Sequence, residues 1–63
     1  MNHKNWYARL TGGEAERAAA LAAGVTPSTL HRQLAAGHLS AENVIALARA
    51  YGENPAQALA ATG

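Results

Sequence analysis

Residues 24–37, "GVTPSTLHRQLAAG", follow a glycine, a proline and three hydroxyl side chains with three large hydrogen-bonding residues in a row, His31, Arg32 and Gln33. An arginine fork matches a pair of adjacent acceptors, such as O6 and N7 of guanine, and a glutamine amide matches the acceptor and donor of adenine. Histidine adds a donor or an acceptor according to its tautomer. This is the chemistry of recognition, not of bond breaking. The chain has no cysteine, and no paired acids stand beside a base. "TGGE" is too short for a phosphate-cradling loop and lacks its lysine. The reading is therefore a non-enzymatic chain without a cofactor. The spacing of His3, His31 and His38 gives no metal site, since only His31 and His38 approach one helical face and a glycine intervenes.

A chain of 63 residues is one domain at most, here read as 1–63. So short a chain buries only roughly 60% of its unfolded surface, and without cysteine it has no disulfide to add. The first residues, "MNHKNWYARL", lack the apolar core of a signal peptide, and no run is long enough to span a bilayer. A cytoplasmic protein away from the membrane is the expectation. The net charge is only +1, a weak signal for nucleic acid by itself. Its placement says more: Lys4, Arg9, Arg17 and Arg32 lie in the first half, Glu42 and Glu53 in the second.

Alanine, the best helix former, is abundant, and no strand pattern occurs, so the fold class is all-α. Trp6, Tyr7 and Leu10 share one face of a first helix in "NHKNWYARL", which "TGG" ends, and the two aromatics read as core plugs. Thr11 and Glu14 have the spacing of a capping box, so a second helix begins between 12 and 15 and stops at Gly24. Thr26 as N-cap and Pro27 at the first helical position start a third helix, about 27–36, ended by Gly37. Ser40 caps a fourth, with a stripe of Val44, Leu47, Ala48 and Tyr51, that closes at Gly52. Asn54 and Pro55 open a short fifth, in which Leu59 is the only large apolar residue.

Only "GVT" links the second and third helices. Gly24 can take positive φ, Ala20 is small enough for two helices to approach, Val25 can point inward, and Leu30 and Leu34 give the third helix a buried edge. That pattern reads as a helix-turn-helix at about 14–36, whose second helix would lie in the DNA major groove.

The stretches "AALAAGVTPSTLHRQLAAG" and "LSAENVIALARAYG" resemble the helix-turn-helix family of phage Cro and lambda-type repressors, over roughly residues 14–54. The resemblance implies a lambda-repressor-like bundle of about five helices. It also implies sequence-specific binding of double-stranded DNA by a transcriptional regulator of phage or prophage repressor type. It carries base-reading positions onto Ser28 and Arg32, and onto Pro27, where only an apolar or steric contact is possible. The family usually has a large apolar residue near position 33, where this chain has Gln33 followed by Leu34.

Beside the resemblance, the residues leave alternatives open. Arg32 is the foremost base reader, or an ordinary solvated charge. His31 reaches a base or a phosphate, or stands by. Gln33 reads adenine or caps the hydrophobic edge. Phosphate contacts are expected from Lys4, Arg17, Thr29, His38, Ser40 and Asn43, with the N-termini of the second and fourth helices as anion sites. The competing reading is a helical protein-interaction module that does not bind DNA. The thin surface around Leu59 points to a monomer or weak homodimer, either complete or followed by a further domain beyond Gly63.

Overall fold

Proline and glycine punctuate the chain, and the helices lie between them. The structure, a computed structural model, describes residues 2–63. Among these are five helices, α1 (His3–Thr11), α2 (Glu16–Ala23), α3 (Pro27–Ala36), α4 (Ala41–Ala50) and α5 (Pro55–Thr62), and no strand. The all-α reading is correct. No helix is long and apolar enough to cross a membrane.

Each start has its own chemistry. Asn2, Ser40 and Asn54 accept backbone N–H groups of the first turns of α1, α4 and α5. The cap on α1 is an addition to the sequence reading, while those on α4 and α5 follow it. Two expectations need correction. Thr11 and Glu14 form no capping box: Thr11 is the last residue of α1, and its hydroxyl donates to Tyr7 O at 3.0 Å. Glu14 instead accepts the Tyr51 hydroxyl, and α2 begins at Glu16 behind Ala15, which has no capping side chain. Thr26 takes the extended conformation of an N-cap, yet its hydroxyl caps nothing. The fixed φ of Pro27 starts α3 instead.

Helices α1, α2 and α3 close on left-handed glycines, as at Gly24 with φ +72°, whose N–H bonds back to Leu21 O. Val25 N–H then reaches Ala20 O at 2.9 Å, so the chain reverses within three residues. Helix α4 ends at Ala50, with Tyr51 as its cap and Gly52 just beyond.

The core is built from Trp6, Leu30, Leu39, Val44 and Leu47, all essentially sealed from solvent. Alanine does the rest. Ala19, Ala20, Ala48 and Ala58 are fully buried, on α2, α4 and α5. Helix α4 packs against both α2 and α5, and small side chains there let the helix backbones draw close. Trp6, Tyr7, Leu30, Leu34 and the α4 stripe are buried as the sequence suggests, with Tyr51 half-buried at the end of the stripe. Leu39, in the loop between α3 and α4, belongs to the core although no periodic pattern marks it.

Helix α1 buries Trp6 and Tyr7 in the core and is also tied down by polar bonds. The Trp6 indole N–H donates to Glu53 Oε2 at 2.7 Å, and Arg9 meets the other oxygen of the same carboxylate at 3.2 Å. At its other end, His3 Nδ1 accepts the Leu39 N–H at 2.8 Å. His3 Nε2 lies 2.8 Å from Thr62 O, an acceptor only, so Nε2 carries the proton. One ring thus ties the start of α1 to the α3–α4 loop and to the end of α5. Burial, and then the charges of Glu16 and Glu14, push the Tyr7 phenol up from its ordinary range. The bond to Glu14 is the main reason that Tyr51 is pushed up to about 12.

Two substitutions test this frame. A Cβ at Gly24 would meet no neighbour within 4 Å, so backbone strain is the expected cost of Gly24→Val. A β-branched residue at this φ is expected to cost about 1–3 kcal/mol, read by denaturant titration. An unchanged midpoint would contradict the turn assignment. Glu53→Ala leaves a fully buried indole N–H without its acceptor and is expected to cost about 1–3 kcal/mol. Glu53→Gln keeps an acceptor and loses only the exposed pair with Arg9, a change within about 1 kcal/mol. Equal losses in the two variants would show that charge, not the buried bond, is what matters.

Candidate nucleic-acid interface

Leu30 and Leu34 turn one side of α3 into the core and so decide which side faces out. At about 100° per residue, Arg32 falls at the centre of the opposite arc, with Ser28 and Ala35 to one side of it and His31 beyond them at the flank. All four are exposed. Pro27 and Thr29 lie half-buried at the margins of this face. Among the described residues Arg32 makes no ion pair or hydrogen bond, so its fork is free to meet a partner. Helix α3 carries no acidic residue.

His31 and Gln33 are engaged within the protein. His31 Nδ1 lies 2.8 Å from Glu16 Oε1, at the first turn of α2. The pair stays open to water, the His31 side chain being 73% exposed. Gln33 Oε1 accepts two bonds, from Ser40 N–H at 3.0 Å and from the Asn43 side-chain amide at 3.1 Å. Asn43 N–H in turn donates to Ser40 Oγ at 3.2 Å. Adenine readout by Gln33 would need that same oxygen, which already joins the end of α3 to the start of α4. Of the two roles open to Gln33, the structure favours the edge-capping one. Ser40 and Asn43 take part in the same bridge, while the Ser40 O–H and the second Asn43 amide proton are still able to donate to a phosphate.

Of the other cations, Arg9 pairs with Glu53, Arg49 lies in the last turn of α4, and Lys4 and Arg17 remain as phosphate candidates. Lys4 and Arg17 are exposed and form no ion pair among the described residues. Lys4 joins Tyr7, Glu16, His31, Leu34 and Ala35 in lining an open groove of about 250 Å³ beside α3. Arg17 sits on α2 one residue beyond Glu16, the acid in that helix's first turn. Glu42 stands likewise in the first turn of α4. The two helix N-termini expected to hold anions therefore each carry a carboxylate already, which opposes a second negative charge there.

His38, exposed in the loop after α3, stacks on His3 with ring centroids 4.6 Å apart. The sequence spacing set His3 apart from the other two histidines, but the fold pairs His3 with His38 and sends His31 to Glu16. Both His3 nitrogens are taken by hydrogen bonds. Residues 3 and 38 meet only through tertiary packing, which spacing along one helix does not encode. Glu16 is the residue at this surface that sequence reasoning missed. Glu16 lies fifteen residues from His31, at the end of α2 away from the Gly24–Thr26 turn, and no local signal marked the contact.

Comparison of the chain with family models, with curated proteins and with solved structures finds no match, so a functional reading rests on the geometry and chemistry of this surface.

Proposed function

We propose that this chain is a sequence-specific duplex DNA-binding domain of a transcriptional regulator, of the phage or prophage repressor type that its sequence resembles. In this reading α2, the Gly24–Thr26 turn and α3 act as a helix-turn-helix. Helix α3, about 15 Å long at the standard rise, enters the major groove. The observation that carries the reading is the exposed, acid-free face of α3 with an uncommitted Arg32 at its centre. Ser28 and Ala35 beside Arg32 allow close approach to base edges, and Pro27 adds a steric contact. Lys4 and Arg17 supply phosphate contacts on one flank, with Thr29 and His38 as further candidates. A cytoplasmic site of action, a monomer or weak dimer, and binding without a cofactor go with this reading.

The alternative, a protein-docking bundle without DNA binding, finds less support. Leu21, at 67%, is the large hydrophobic residue exposed among those described. A single apolar residue at the surface is ordinary and makes no patch.

Selection of bound sites from random duplex DNA tests the proposal directly. A reproducible motif is expected, and binding that is absent or insensitive to salt would refute it. Arg32→Ala is expected to weaken the selected site by about 1–3 kcal/mol and to relax preference at one G·C pair. Unchanged affinity and unchanged preference would remove Arg32 from the interface. Lys4→Ala should instead weaken all sequences alike and make the dependence of log K on log salt shallower by about one unit. A loss confined to one sequence would contradict a phosphate role.

A further inference from the structure

The carboxylate of Glu16 selects one of the two neutral forms of the His31 ring, and that choice has a consequence for what His31 can recognise. A carboxylate only accepts hydrogen bonds, so with Glu16 Oε1 2.8 Å away the proton of the neutral ring sits on Nδ1. Nε2 is then bare, a lone pair on a largely exposed ring at the edge of the outward face of α3. Lys4 and Tyr7, the other ionisable groups lining the same groove, are a cation and a phenol, and neither replaces the carboxylate as acceptor for Nδ1–H.

We infer that Glu16 positions His31 as a hydrogen-bond acceptor, and that His31 reads an exocyclic amino group in the major groove, N4 of cytosine or N6 of adenine. The inference rests on the DNA-binding reading. Cytosine and adenine present N–H donors in that groove, whereas guanine and thymine present acceptors at the corresponding edge. A bare Nε2 attracts the former and repels the latter. The reading face then carries complementary groups: Arg32 at its centre donates to acceptors and His31 at its flank accepts from donors. Glu16 acts through His31 without touching the base.

Two measurements test this. Site selection on wild-type protein, His31→Ala and Glu16→Gln should identify one base pair at which wild type favours an amino-bearing base by roughly fivefold to tenfold. His31→Ala should abolish that preference. Glu16→Gln should reduce it, because an amide offers Nδ1 either an oxygen or an N–H group and no longer selects one tautomer. Preference for guanine or thymine at this position overturns the inference, as does a preference untouched by Glu16→Gln. Nitrogen NMR of the free protein, at a pH where the ring is neutral, should show His31 protonated on Nδ1, with a mixture of tautomers in Glu16→Gln. An Nε2–H tautomer in wild type overturns the inference and leaves the DNA-binding reading standing. Failure to bind any duplex overturns both.

Discussion

The hydrogen bond from the Trp6 indole to Glu53 is the constraint on which the arrangement depends. Trp6 is the largest fully buried side chain of a small core, and its ring carries one polar atom into that core. Without an acceptor, burying it would forfeit much of what its apolar surface contributes. Glu53 supplies the acceptor from the turn between α4 and α5, while His3 secures the opposite end of α1. Helix α1 is thereby set across the bundle, with Lys4 and Tyr7 beside α3. The position of a cation at the edge of the candidate interface is a consequence of where an indole found its partner.

The rest of the core works by the opposite means. Buried alanines on α2, α4 and α5 make few contacts each, but they shorten the distance between helix backbones. A bundle made this way needs few large side chains on α3. Leu30 and Leu34 anchor that helix, and the remaining positions are free to carry polar groups. Economy in the core and chemistry on the surface are thus linked in one ten-residue helix.

What was legible in the sequence is what local physics decides. Pro27, Ser40 and Asn54 announced helix starts, Gly24 and Gly37 announced stops, and the spacing of Leu30 and Leu34 divided α3 into an inner and an outer side. The parts that were hidden involve partners distant along the chain. Thr11 and Glu14 had the spacing of a capping box. The Tyr7 carbonyl and the Tyr51 hydroxyl competed for their side chains and won. Nothing local reveals that Leu39 fills the core from a loop, that His3 lies against His38, or that Glu16 faces His31. The outward set on α3 could be named in advance. Which of its members were already engaged could not, because their partners lie on α2 and α4.

Gln33 shows what such engagement means mechanically. Its side-chain oxygen holds the backbone of Ser40 and the side chain of Asn43, while the glycine turn at the other end of α3 holds that helix to α2. A rod clamped at both ends cannot roll about its long axis without straining one clamp. The angular aim of Arg32 is therefore a property of three helices together. Any force that a bound partner exerts on the outer side of α3 is shared with α4 through the core they have in common and through this amide, seven residues away in sequence from the backbone it grips.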